Sequence, residues 1–116
     1  MIDLRENNME NCIFCKIISK TASSDIEYEN DIVLAIKNIN PVADTHILLI
    51  PKVHVVSFMD LTDQNIQNEM FKVAQILIKE KKLENAYKMV FNGGKYQQVM
   101  HLHWHLLGGN FKAGEL

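Results

Sequence analysis

Ile26-Glu27-Tyr28-Glu29 alternates apolar and polar positions with period two, and Ile32-Val33-Leu34-Ala35-Ile36 is continuously apolar. The pair Asn30-Asp31 between them forms turns readily, so this stretch predicts a β-hairpin. Thr45 to Ile50 reads as a further, strongly apolar strand, stopped by Pro51. From Thr62 the period lengthens. Ile66, Met70, Val73, Ala74 and Leu77 recur at i, i+4, i+7, i+8 and i+11, which is one apolar stripe of a long helix, with Thr62 as its N-cap and Asp63 at the positive end of the dipole. Lys79, Lys81 and Lys82 close that helix as a solvated cationic end. Phe14 to Ile18 predicts a short helix, broken by Ser23-Ser24-Asp25. Tyr87 to Asn92 predicts a strand leading into the glycine turn Gly93-Gly94. Met1 to Glu10 is polar and aperiodic and is expected to be a mobile tail, leaving residues 11–116 as one domain.

Composition narrows the function classes. A chain of 116 residues fits a single core, and a second copy would add useful buried surface to so small a domain. A net charge of -2 and a pI near 6.2 give no electrostatic case for a nucleic-acid polymer, so a small anion must be held by local donors. The chain has no apolar run of about 18 residues, and the start lacks the apolar region of a signal peptide. The expectation is a soluble, cytoplasmic protein without membrane partners.

The chemistry concentrates near the end of the chain. Three of the five histidines fall in His101-Leu102-His103-Trp104-His105-Leu106-Leu107-Gly108-Gly109. On an extended chain successive side chains face opposite ways, so His101, His103 and His105 share one face while Leu102, Trp104 and Leu106 share the core face. Neighbouring histidines on a strand are about 6.7 Å apart and the outer pair about 13 Å, too far for one zinc ion with bonds of about 2.0 Å. A row of imidazoles acting on an extended ligand fits better, one as nucleophile and its neighbours as orienting and proton-donating groups. Cys12 and Cys15 form a C-x-x-C, which alone is half a zinc site, a redox pair or two buried thiols. His46 is either a hydrogen-bonded strand histidine or a member of the site, and His54, beside Lys52, reads as a loop residue.

His101-Leu102-His103-Trp104-His105-Leu106-Leu107 resembles the His-φ-His-φ-His-φ-φ motif, φ being apolar, of the histidine triad (HIT) superfamily. The likeness is closest to its Hint branch of nucleoside phosphoramidate hydrolases. It extends to Cys12 to Ile18, to Asn38-Ile39-Asn40-Pro41 with Thr45 to His54, and to Val90-Phe91-Asn92-Gly93, in the family's order over about residues 12 to 109. The resemblance implies an α+β fold, a five-stranded, mainly antiparallel sheet with one long helix and a short N-terminal helix. It also implies a homodimer joined through the long helix and a strand edge.

Carried over residue by residue, the resemblance makes His103 the nucleophile, His105 a hydrogen-bond donor to phosphate or leaving group, and His101 a support for the strand. Phe14, Ile17, Asn38, Ile39, Asn92, Gln98 and Val99 would join His103 and His105 in nucleotide binding. A structural zinc would be held by Cys12, Cys15, His46 and His101, with His54 as the spare ligand, and no organic cofactor is expected. Two positions depart from the branch. Asn38 stands where an acidic residue commonly binds the ribose hydroxyls, and Gln98 aligns with a serine in a shortened loop.

The implied function is hydrolysis at the α-phosphorus of a purine nucleotide such as AMP or GMP carried as a conjugate, through a nucleotidyl-histidine intermediate. The alternatives are a zinc-stabilised nucleotide-binding or interaction module with little turnover, and a dinucleoside polyphosphate hydrolase. The family's polyphosphate hydrolases typically place glutamine before the last triad histidine, where this chain has Trp104.

Overall fold

The computed structural model describes residues 9–112. Helix α1 (Ile13–Ile18) precedes a hairpin of β1 (Ile26–Glu29) and β2 (Val33–Lys37). Strand β3 (Ala43–Pro51), the long helix α2 (Gln64–Glu80), β4 (Tyr87–Val90) and β5 (Trp104–Phe111) follow. The five strands form one sheet in the order β1-β2-β3-β5-β4, and every pairing is antiparallel. This is the α+β architecture expected from the sequence.

A helix packs on each face of the sheet, which explains why β2 is apolar throughout rather than alternating. Val33 and Ala35 join Ile47, Leu49, Leu102, Trp104 and Leu106 in one core with Met70, Val73, Ala74 and Leu77 of α2. Leu34 and Ile36 join Leu48 and Ile50 on the other face, against Cys12, Phe14 and Ile17. The hairpin turn is fixed by the Asn30 side chain, whose Oδ1 accepts from the backbone N–H groups of Ile32 and Val33, both at 2.8 Å.

Several boundaries differ from the sequence reading. The expected tail lies outside the described residues as far as residue 8, while Met9–Asn11 forms a single 3-10 turn whose Met9 carbonyl accepts from Cys12 N–H. Asp63, not Thr62, caps α2. Its carboxylate accepts from Asn65 N at 2.9 Å and Ile66 N at 3.1 Å, satisfying donors that the first turn leaves open. Strand β4 ends at Val90, short of Asn92, because its partner runs out: Val90 pairs with His105, and β5 begins at Trp104. His101 and His103 therefore precede the ladder, although their rings still face opposite to Leu102 and Trp104. A bulge opposite β3 uses Gly109 in the left-handed region (φ 79°), where a Cβ would come within 2.7 Å of Asp44 Cβ.

The capping geometry gives the first test. Asp63→Ala should lower stability by about 1 kcal/mol in denaturant unfolding, whereas Thr62→Ala should change it by only a few tenths. The reverse order would place the cap one residue earlier.

Candidate active site and metal-binding cluster

The α1 face of the sheet carries two groups of titratable side chains that share a boundary at His101. Strand register creates the first group. Leu48 lies opposite His105 and His46 opposite Leu107, so His46 and His105 are diagonal neighbours on one face, with ring centroids 5.1 Å apart. His103 follows at 5.1 Å from His105.

Hydrogen bonds assign a proton to each ring. His103 Nδ1 lies 2.9 Å from the carbonyl oxygen of His101; a carbonyl only accepts, so Nδ1 carries the proton and Nε2 keeps its lone pair. His46 Nδ1 accepts from Val42 N–H at 3.1 Å, so its proton is on Nε2, which donates to His105 Nδ1 at 2.8 Å. His105 in turn carries its proton on Nε2. Two adjacent rings thus hold opposite tautomers, an Nε2 acceptor on His103 and an Nε2–H donor on His105.

Burial keeps these rings neutral. It lowers the pKa of His103 against the raising effect of the His101 carbonyl, and lowers that of His46. His105 is pushed down to about 4, first by burial and then by the charges that His103 and His46 would carry. A neutral imidazole with an open Nε2 is a competent nucleophile at pH 7, and the neighbouring N–H is placed to meet negative charge.

Asn38 bears on the same chain of rings. Its Oδ1 accepts from Asn40 N at 2.9 Å, and its Nδ2 lies 3.1 Å from His46 Nε2. A carboxylate at this position could accept from both groups. The amide satisfies only Asn40 and leaves the His46 proton to His105.

The second group is a cluster of Cys12, Cys15, His54 and His101, whose ligand atoms all lie within 4.8 Å of one another. Cys12 Sγ is 3.2 Å from His101 Nδ1, Cys15 Sγ 3.6 Å from the same nitrogen, and Cys15 Sγ 3.2 Å from His54 Nδ1. Tetrahedral zinc, with Zn–S bonds of about 2.3 Å and Zn–N bonds of about 2.0 Å, holds its ligand atoms roughly 3.5 Å apart, so the set fits such an ion. The tautomer fits as well. His101 Nε2–H donates to the Pro51 carbonyl at 2.8 Å, which turns the lone pair of Nδ1 toward the thiols. Burial, then the hydrogen bond and charge of Cys12, push the Cys15 thiol up to about 12, so a bound cation is what would let that sulfur ionise.

This corrects the expected ligand set. His46 is turned to His105 and Asn38, on the far side of His103 from the thiols, and His54 completes the four. The reason is the chain's exit from β3. His46 belongs to the strand, whereas the chain leaves the sheet after Pro51, and Leu102 N–H donates to the Val55 carbonyl at 2.7 Å, drawing the 52–55 segment against the triad.

A family model described as "Scavenger mRNA decapping enzyme C-term binding" matches residues 11–115. The chain belongs to the HIT family. It is 42% identical over 103 residues to a 14 kDa zinc-binding protein of Zea mays, covering 84% of this chain and 80% of that one. It is 37% identical over 105 residues to a purine nucleoside phosphoramidase of Escherichia coli K12, covering 86% and 88%. A HIT family hydrolase from Clostridium thermocellum superposes with a TM-score of 0.82 at 39% identity, covering 94% of this chain and 98% of that one.

Within this HIT domain the remaining expected binding residues divide into two sets. Phe14 and Ile17 are buried in the α1-face core, Val99 packs against them, and Phe14 meets the His103 ring edge-on at 5.0 Å. Ile39, Asn92 and Gln98 are exposed, Ile39 by 90%, and no side-chain hydrogen bond joins them to the triad. Of two residues that organise the site, the sequence reading held one only as a spare ligand and missed the other. His54 is a ligand candidate whose only signal is the unfinished C-x-x-C. Gln97 is buried beneath the 93–98 loop, accepting from Gly94 N at 3.1 Å and donating to Val56 O at 2.8 Å and Val99 O at 3.2 Å. Nothing in Gln97-Gln98 distinguishes the buried amide from the exposed one.

The corrected ligand set separates two variants. After expression with zinc and desalting, His54→Ala should lose most of its metal by mass spectrometry, and His46→Ala should keep about one ion per chain. Metal lost from His46→Ala and retained by His54→Ala would reinstate the original set.

Proposed function

We propose that this HIT protein hydrolyses purine nucleotide conjugates at the α-phosphorus, releasing a nucleoside monophosphate such as AMP or GMP and an amine. The observation that carries this reading is the pair of opposed tautomers. His103 offers an unprotonated Nε2 because its Nδ1–H is held by the His101 carbonyl, and His105 beside it offers Nε2–H. The similarity to a purine nucleoside phosphoramidase supports the substrate class.

The lone pair of His103 Nε2 attacks phosphorus, a P–N(imidazole) bond forms, and the bond to the leaving nitrogen breaks. His105 donates a hydrogen bond to a non-bridging oxygen as charge develops there. Water then attacks the nucleotidyl-imidazole. Its oxygen joins phosphorus as the P–N(imidazole) bond breaks, its two protons replace those that the departing amine took from solvent, and neutral His103 is restored. Phe14 and Ile17 wall the base and sugar, Asn38 offers an amide to the ribose, and Asn92, Gln98, Ile39 and Val99 complete the rim. His101 acts through its carbonyl and makes no contact with phosphorus.

The same reading places a structural zinc in the Cys12, Cys15, His54 and His101 cluster, in keeping with the zinc-binding relative from maize. All four ligand positions are filled by side chains, which suits a structural and not a catalytic ion. The two thiols suit the reducing cytoplasm.

With adenosine 5′-phosphoramidate, wild type should release AMP and form an adduct of nucleotidyl mass on His103. His103→Ala should lose at least about 10³-fold in kcat/KM, or about 4 kcal/mol of transition-state stabilisation. Unchanged turnover by this variant would remove His103 as nucleophile. AMP binding by wild type without turnover would favour the binding-module reading.

A homodimer belongs to the same proposal. Strand β4 is an edge of the sheet, and beside it Phe58, Phe71, Met89, Phe91 and Trp104 line an apolar groove of about 320 Å³. Phe71 of α2 is 61% exposed. Exposed aromatic surface next to an open strand edge is what a second copy would cover. Light scattering should give twice the 13.4 kDa chain mass for wild type and the single-chain mass for Phe71→Glu. A monomeric wild type would contradict the dimer.

A further inference from the structure

The nucleophile lies outside the strand ladder. Strand β5 begins at Trp104, so the carbonyl of His101 that orients His103 belongs to an extended segment ahead of the ladder. The His101 ring is hydrogen-bonded to the Pro51 carbonyl of β3 and Leu102 is buried in the α2-face core, and three further contacts lead to the metal-binding cluster. The His101 ring points Nδ1 at Cys12 and Cys15 and rests edge-on against His54 at 4.9 Å. The backbone of the next residue, Leu102, donates to Val55, the neighbour of His54. Phe14, which lies between the two cysteines in α1, meets His101 at 5.8 Å and His103 at 5.0 Å, both edge-on.

We infer that the cluster is a positioning device for His103: an ion joining Cys12, Cys15, His54 and His101 fixes the His101 carbonyl, and through it the tautomer and aim of the nucleophile. His101 is then a positioning residue with two functional ends, a ring nitrogen for the metal and a backbone oxygen for His103. This rests on the reading of His103 as nucleophile. The physical case is economy of constraint. Three segments outside the strand ladders, the start of α1, the 52–55 turn and the 101–103 segment, meet at one point, and a bond network there restricts all three at once. Without it, His103 Nδ1–H competes for water, and Nε2 loses its fixed direction. A misplacement of about 1 Å at a reacting atom can cost about 10²-fold in rate.

The test uses the full-length chain with zinc, after chelation, and after zinc is restored, at low temperature where circular dichroism reports the sheet intact. Three quantities are followed: the downfield NMR signal of the His103 Nδ1 proton, AMP affinity by calorimetry, and the single-turnover rate of His103 nucleotidylation. Chelation should abolish the Nδ1 signal, weaken AMP binding at least threefold and slow nucleotidylation at least tenfold, and zinc should reverse all three. If the metal-free chain unfolds, His54→Ala, which keeps three ligands, is titrated with zinc, and the Nδ1 signal should grow in proportion to occupancy. A signal, affinity and rate indifferent to zinc in either protein would overturn the inference. Failure of the hydrolase reading looks different: the zinc-loaded wild type would form no adduct, while the Nδ1 signal would still follow the metal.

Discussion

β3 and β5 lie side by side in the sheet, and their register fixes the later relationships in the site. Because Leu48 faces His105 and His46 faces Leu107, His46 reaches His105 and no other triad ring by hydrogen bond. Because β3 continues to Pro51, its last carbonyl is available to His101 Nε2–H just before β5 begins. A slip of one residue would turn every ring of the row to the α2 core, where Leu102, Trp104 and Leu106 now sit, so the hydrophobic face and the chemical face hold each other in register.

Burial then sets the charge state. His105 has a pKa near 4, below the usual imidazole value near 6.5, so the unfolded chain takes up its proton first as pH falls. The stabilisation from keeping this ring neutral is fully present above about pH 6.5 and is lost progressively as pH falls toward 4. The site therefore works with uncharged imidazoles whose hydrogen bonds, not whose charges, distinguish acceptor from donor. Asn38 fits this arrangement, since a neutral amide adds no charge beside His46.

The architecture was legible because its signals are periodic. The stripe of α2, the alternation through His101 to His105 and the unbroken apolar run of β2 each state which faces are covered. The limits of the elements were less legible, since they depend on partners distant in sequence: β4 stops beside the first residues of β5, and the α2 cap is decided between Thr62 and Asp63 by which side chain reaches the open N–H groups. The triad could be read from spacing alone. The metal ligands could not, because Cys12, Cys15, His54 and His101 are brought together by the turn after Pro51, whereas in the sequence His54 reads as a loop residue and ranks behind His46 as a ligand. Gln97 illustrates the same limit, being one of two adjacent glutamines of which only the fold buries one.

The central claim is that backbone and ring hydrogen bonds give neighbouring histidines opposite tautomers. Long-range 15N–1H correlation spectra of the imidazole rings of the zinc-loaded chain at pH 7 test it directly. The structure predicts neutral His103 protonated at Nδ1, and neutral His46 and His105 protonated at Nε2. A His103 protonated at Nε2, or held as imidazolium, would leave no lone pair at the position of attack and would contradict the mechanism at its first step.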